Sequence, residues 1–292
     1  MKKGFSRNKL KYRVHEKFFD TWTSQMAYVL GFTFADGNIH KTSLSWDLQL
    51  KDKEVLVKIK RALSATYRIT LQRRSSYRLR INNRILINGA IKKGLLPKKN
   101  IRNILPNIPT EYLNHFVRGY LDGDGWTVLR KGRNEFDLGF SSGNKEFLNN
   151  LSTLIAKNVG VKYVDIRKRL KMTPKKLLST TYMMEYYSVN AIRVADWIFS
   201  DLQEGDLYLN RKYKTYLRAK KIYDYLESGT RITRVIQKKL KQPISDILKE
   251  LSENQKLDGV KVAKILGVHS SSVYRWLEKF GIKYPHHKMI YG

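Results

Sequence analysis

Asp36 and Asp124 stand at matching places in two similar stretches, Val29–Gly37 (Val-Leu-Gly-Phe-Thr-Phe-Ala-Asp-Gly) and Val117–Gly125 (Val-Arg-Gly-Tyr-Leu-Asp-Gly-Asp-Gly). A single acid before a glycine is an ordinary solvated turn. Two at corresponding positions, 88 residues apart, form a constellation. Carboxylates brought together repel unless a cation neutralises them, and a chain without cysteine offers oxygen ligands. Magnesium suits such a hard donor set, and manganese can replace it. A carboxylate pair with bound metal can activate water and stabilise the attacking and leaving oxygens of a phosphodiester.

The elements that must position these acids are two apolar helices. Small residues recur at every fourth position, Ala27, Gly31 and Ala35 in one and Gly119 and Gly123 in the other. Each helix therefore carries a smooth stripe along which another backbone can come close. Thr23 or Ser24 is available to cap the first helix, and Thr110 with Glu111 begins the second. Gly37 and Gly125 are expected to take the left-handed turn that ends a helix, leaving the carboxylates at the tips.

The stretches around these helices follow a common plan. After Gly37, Leu44, Trp46, Leu48 and Leu50 alternate with Ser45, Asp47, Gln49 and Lys51, the pattern of a strand buried on one face. Asp52 to Ala65 returns to helical spacing. Two further strands alternate Ile69 and Leu71 with Arg68, Thr70, Gln72 and Arg74, then Tyr77, Leu79 and Ile81 with Arg78, Arg80 and Asn82. Arg, Gln and Asn read base edges, so this face is a candidate for DNA contact, against the alternative of a solvated face. Asp47 is the exception on it. A short helix over Ile85 to Leu96 and the prolines Pro97, Pro106 and Pro109 separate the halves.

In the second half Phe136, Leu138 and Phe140 alternate as a strand, and Asn144 to Ile155 is helical. Val164 and Ile166 alternate with Asp165, Arg167 and Arg169; Tyr182 to Val189 gives a further strand and Ala191 to Leu202 a helix. The turns before the middle helices, at Asp52 and Asn144, lie 92 residues apart, close to the offset of the acids. Duplication accounts for this. Residues 218–246 read as a helical, basic connector. From Ile247, Val262-Ala263-Lys264-Ile265-Leu266-Gly267-Val268 followed by Val273, Trp276 and Leu277 fits a helix-turn-helix whose second helix presents Ser270, Ser271, Ser272, Tyr274, Arg275 and Lys279. A generic helical hairpin is the alternative.

With 57 Lys and Arg against 25 Asp and Glu, the chain of 292 residues carries a formal charge of +32 and seeks a polyanion. No apolar run approaches the ~20 residues that span a bilayer, which favours double-stranded DNA over a membrane. No segment resembles a secretory leader, so a cytoplasmic protein of a prokaryote or phage is expected.

These motifs resemble those of the single-chain LAGLIDADG homing endonucleases, over residues 18–217. The resemblance implies an α+β fold of two pseudo-symmetric αββαββα repeats, 18–110 and 111–217, whose antiparallel sheets form a DNA-binding saddle. A basic arm (1–17), the connector and a small all-α helix-turn-helix domain (247–292) complete the expected organisation. The likeness also implies a monomer that makes a staggered double-strand break in a long, asymmetric site. Asp36 and Asp124 would be metal ligands, with the carbonyls of Ala35 and Gly123 nearby. Phe34 stands where the family has its first Asp, whereas Asp122 keeps it; that Asp is not the metal ligand. Lys99 and Lys212 match the family's basic residues near the scissile phosphates, with Lys98, Arg211 or ordinary phosphate binding as alternatives. Asp52 and Asn144 occupy turns where the family places water-positioning groups, or they cap helices. Similar tails occur on prokaryotic and phage intron nucleases, and would add affinity. A non-catalytic transcription regulator of the same domain order is the main rival. An intron maturase would require RNA, and an intein is disfavoured by the lack of self-splicing nucleophiles.

Overall fold

The computed structural model describes residues 12–72, 75–96, 105–130, 135–172, 178–225 and 231–285. Arg74, Lys98, Lys99 and most of the basic N-terminal arm lie outside them. The chain divides into two compact units, Met1–Arg130 with Phe136–Ala219, and Lys220–Gly292 with Lys131–Glu135.

The first unit contains the two repeats. In the first, α1 (Ser24–Asp36) is followed by β1 (Gly37–Ile39), β2 (Leu44–Gln49), α2 (Lys53–Ala62), β3 (Ile69–Gln72), β4 (Ser76–Ile81) and α3 (Arg84–Lys92). The second repeats this as α4 (Leu113–Asp124), β5 (Gly125–Arg130), β6 (Glu135–Ser142), α5 (Lys145–Val159), β7 (Arg167–Met172), β8 (Leu178–Tyr187) and α6 (Ser188–Ile198). Both sheets have four strands and the same order, β1-β2-β4-β3 and β5-β6-β8-β7, with antiparallel pairing throughout the described registers. The αββαββα plan is therefore present twice.

Local chemistry accounts for the element ends. Thr23 caps α1 by accepting from the Met26 N–H at 3.0 Å. Asn83 and Asn144 cap α3 and α5 in the same way, on the N–H groups of Leu86 and Phe147. Gly160 closes α5 with φ +71°, and Gly94 follows α3 with φ +88°, conformations that favour glycine. Strand β7 starts at Arg167, later than the alternation from Val164 suggested, because the Val164 N–H and carbonyl bond the Ser152 hydroxyl instead of a neighbouring strand.

The glycines after the acids depart from expectation. Gly37 (φ −75°, ψ 140°) and Gly125 (φ −114°, ψ 177°) are extended, and strands β1 and β5 begin directly on them. Space rather than handedness requires glycine here. A Cβ at Gly125 would sit 2.6 Å from the Leu121 carbonyl oxygen and 2.8 Å from that of Gly139, and one at Gly37 would sit 2.6 Å from the Thr33 carbonyl oxygen.

Each sheet packs one face on the helices. Leu44, Trp46, Leu79 and Ile81 are buried in the first, and Phe136, Leu138, Phe140 and Met184 in the second. The Trp46 indole N–H donates to Thr33 Oγ1 of α1 at 3.1 Å, so even the apolar layer satisfies its polar group. The other face of the first sheet carries Ser45, Asp47 and Gln49 opposite Arg80, Arg78 and Ser76, as the alternation predicted.

The second unit has its own core of Ile236, Ile244, Ile247, Leu248, Val262, Ala263, Val273, Trp276, Leu277 and Ile282. It is built from α8 (Arg231–Leu240), α9 (Ile244–Lys249), α10 (Gly259–Leu266) and α11 (Ser270–Phe280). Ile236 and Ile244, within the expected connector, thus belong to a packed core. Asp258 caps α10, left-handed Gly267 (φ +66°) closes it, and His269 caps α11.

Candidate active site

Helices α1 and α4 meet backbone to backbone. A Cβ built at Gly31 would clash with the Phe116 carbonyl oxygen and lie 3.1 Å from Tyr120 N; one at Gly119 would clash with the Tyr28 carbonyl oxygen and lie 2.8 Å from Phe32 N. These contacts exchange when 88 is added to Tyr28, Gly31 and Phe32, so the crossing has internal two-fold character. One turn further on, the space at Gly123 is filled by Ala35 Cβ, and Asp36 N lies 3.5 Å from where its Cβ would be. The small-residue stripe therefore brings together the ends of both helices, where Asp36 and Asp124 sit beside the Ala35 and Gly123 backbones. Ser141 Oγ donates to the Asp124 carbonyl at 2.9 Å and anchors that tip to β6.

A cavity of about 340 Å³ opens at this junction, with Asp36, Asp47, Lys51, Asp52, Gly123 and Arg211 among its lining residues. Asp52 does not cap α2 with its side chain. It accepts two bonds from Arg211, Nε at 2.8 Å and Nη2 at 3.0 Å, a bidentate pair that fixes the guanidinium on the cavity wall. Next to it, Glu54 accepts from the Asn210 N–H (3.0 Å) and side-chain amide (2.5 Å), and Lys58 Nζ donates to the Tyr208 carbonyl at 2.7 Å. The segment leading into α7 (Asn210–Tyr225) is thereby latched to α2 of the first repeat. Asn144, the counterpart of Asp52, spends its carbonyl oxygen on the Phe147 N–H.

Lys212 is buried, and its ammonium donates to the carbonyls of Leu121 (2.5 Å), Asp122 (2.9 Å) and Gly125 (2.7 Å). It satisfies the carbonyl end of α4 and places a cation at the negative pole of that helix. Burial lowers its pKa to about 8, against an opposing pull from Asp122. Asp122 is buried too; its Oδ2 accepts from Tyr28 Oη and the Leu209 N–H, both at 2.7 Å, while Oδ1 has no hydrogen-bond partner. Burial raises its pKa. Asp122 thus ties α1, α4 and the segment before α7 together.

Arg118, one turn earlier on α4, was not singled out by the sequence reading. It is fully buried and donates Nε to the Leu207 carbonyl and Nη1 to the Ile198 carbonyl, both at 3.0 Å, with Nη2 2.6 Å from His115 Nδ1. Burial, then the adjacent guanidinium, lowers the His115 pKa to about 4. The signal available in sequence was spacing alone: His115, Arg118 and Asp122 fall on one helical face.

The donor set at the helix tips consists of hard oxygens, two carboxylates and backbone carbonyls, and suits a divalent cation. Among the described residues there is no cluster of three or more His, Asp or Glu that could hold a metal. Any ion would therefore rely on the acid pair, backbone carbonyls and ligands from outside the chain.

The predicted reading residues are distributed over both sheets of the first unit and one helix of the second. Gln49, Arg78 and Arg80 lie on the open face of the first sheet, with Thr70 and Gln72 opposite Arg78 and Ser76 and Arg68 just before β3, whereas Ser45 is buried beneath its cross-strand partner Arg80 and is not available to a base. Asp47 is explained by its cross-strand partner, since Arg78 Nε lies 2.7 Å from its carboxylate. Arg167 and Arg169 lie on β7, Arg167 3.5 Å from Glu185. In the second unit Ser271 and Arg275 are exposed on α11, and Ser272 is half-buried.

A family model for the LAGLIDADG-like domain matches residues 111–195. A curated protein of Methanocaldococcus jannaschii, "Probable translation initiation factor IF-2", is 30% identical over 188 residues, which cover 60% of this chain but only 14% of that protein. Among solved structures, the LAGLIDADG homing endonuclease I-GzeII in complex with DNA target is similar at TM-score 0.45 and 14% identity, over 69% of this chain and 90% of that one. The I-LtrWI LAGLIDADG homing endonuclease bound to target DNA gives TM-score 0.41 and 11% identity, over 73% and 94%. No helix among the described residues is long and apolar enough to cross a membrane. The chain carries a LAGLIDADG-like domain at residues 111–195 as the second of two αββαββα repeats.

Proposed function

We propose that the chain is a site-specific DNA endonuclease that makes a staggered double-strand break in a long, asymmetric target by metal-dependent phosphodiester hydrolysis. The observation that carries this reading is the meeting of the backbones of α1 and α4, the helices that end in Asp36 and Asp124, through glycine contacts that leave no room for larger residues. Magnesium, or manganese in its place, would be held by Asp36, Asp124 and the Ala35 and Gly123 carbonyls, and would supply Lewis-acid activation of water and charge stabilisation. Arg211, oriented by Asp52, offers its remaining N–H groups to a phosphate entering the cavity. Lys212 holds the end of α4, so it acts as a positioning residue for Asp124. The polar face of the first sheet and the arginines of the second track the duplex, and α11 with Ser271, Ser272 and Arg275 extends the contact.

The test is incubation of the full chain with an uninterrupted copy of its host locus and Mg²⁺, alongside Asp36→Asn and Asp124→Asn. Cutting by the wild type and its loss in both variants is expected; undiminished cutting by both variants sinks the assignment. A second reading, a non-catalytic transcription regulator, is favoured by one feature, the use of both Arg211 and Lys212 in internal bonds. Tight, specific binding unchanged by Mg²⁺, with no nicking of any bound site, would identify it.

A further inference from the structure

The two reading faces differ in chemistry. Across the first sheet the open face carries Asn38, then Asp47, Gln49, Thr70, Gln72, Arg78 and Arg80, all polar. The position that follows Asn38 by the repeat offset of 88 is Trp126. Its ring lies on Gly139 of β6, where any Cβ would collide with the six-membered part of the indole. That part of the ring packs on β6, and the residue is half-buried. Ser141 pairs with Met183 and Arg169 with Thr181 across the same sheet. Together with Glu185 these residues line a hollow of about 470 Å³.

A surface that only followed phosphates would hold Lys and Arg. Here an indole and a thioether sit beside a carboxylate that is kept in place by the Tyr187 hydroxyl at 2.9 Å and by Arg167 at 3.5 Å. Glu185 repels phosphate, so the hollow suits a base edge. The apolar feature that the major groove presents is the 5-methyl group of thymine.

We propose that Trp126 and Met183 form a contact for a thymine 5-methyl group in the half of the target bound by the second sheet, with Arg169 beside it. This rests on the DNA-binding reading above. The first sheet would read its half through hydrogen bonds, so the two repeats would discriminate bases by different physics.

The experiment is a binding selection with the full chain and a random duplex library in EDTA, so that cleavage plays no part. Each thymine of the enriched sequence is then replaced singly by deoxyuridine, which removes only the methyl group. For the wild type, one replacement in one half-site should weaken binding about fourfold, the worth of one buried methyl. In Trp126→Ala, and in Gly139→Ala, which displaces the ring by crowding, that penalty should vanish while circular dichroism shows the fold retained. No effect of any single deoxyuridine on the wild type, or equal effects on wild type and variants, overturns the thymine contact and leaves DNA binding standing. Failure to enrich any sequence overturns the DNA-binding reading itself.

Discussion

Replacing Gly119 by alanine puts two opposing effects on one residue. Alanine favours the helix over glycine by about 1 kcal/mol. Its methyl group, however, would overlap the Tyr28 carbonyl oxygen, far inside van der Waals contact, and lie 2.8 Å from Phe32 N and 2.9 Å from Tyr28 C. All three atoms are backbone in the middle of α1, so no rotamer change relieves the overlap. Ordinary carbon contacts of ~3.5 Å or more would require α1 and α4 to part by on the order of 1 Å, with loss of dispersion along the crossing. Overpacking of this kind costs about 3 kcal/mol at its upper end, which leaves a net loss of about 2 kcal/mol. Urea unfolding of the full chain, following the transition of the first unit, measures this. Gly31→Ala should behave alike, because its methyl group meets the equivalent backbone of Phe116 and Tyr120. The double variant should lose less than the sum, since parted helices accommodate the second methyl. Gly143→Ala is the control, with nothing within 4 Å of the added atom and a φ outside the left-handed region. A Gly119→Ala protein as stable as wild type would refute the backbone-to-backbone crossing and the juxtaposition of Asp36 and Asp124 derived from it.

Three further outcomes are expected. Arg118→Met should lower stability by about 3 to 5 kcal/mol in the same unfolding assay, because the buried carbonyls of Ile198 and Leu207 lose their donors. His115, with its pKa depressed from 6.5 to about 4, binds a proton more readily unfolded than folded between those values. Its contribution is therefore complete above pH ~6.5 and is lost as pH falls toward about 4, a change on the order of 2 to 3 kcal/mol. Melting curves across that window should be flatter for His115→Gln, and parallel curves would remove His115 as the source. Asn144→Ala should cost about 1 kcal/mol through loss of the α5 cap, visible as faster hydrogen exchange in the first turn of α5; unchanged exchange would deny it the capping role.

Much of the fold was legible because its signals are local. Period-two alternation marked β2, β3, β4 and β6, helical spacing marked α2 and α5, and the offset of 88 between Asp36 and Asp124 exposed the duplication before any contact was known. The glycine and alanine stripe announced a close helix crossing for the same reason, since side-chain size and spacing are written directly in the residues. The conformation of Gly37 and Gly125 was not legible. An Asp-Gly step is compatible with a left-handed stop or an extended one, and only the neighbouring carbonyls of Thr33, Leu121 and Gly139 decide that a strand begins there.

The sequence by itself determined the paired acids, the small-residue stripes beneath them, the polar face of the first sheet and the basic charge of the whole. Those depend on residue type and short-range period. Tertiary structure alone decided how the polar groups around the acids are spent: Asp52 on Arg211, Lys212 on the end of α4, Asp122 on Tyr28 and Leu209, and Arg118 on Ile198 and Leu207. All of these partners lie between 80 and 159 residues apart in the chain. At such separations a hydrogen bond exists only if folding brings donor and acceptor within about 3 Å, a condition that no local spacing encodes.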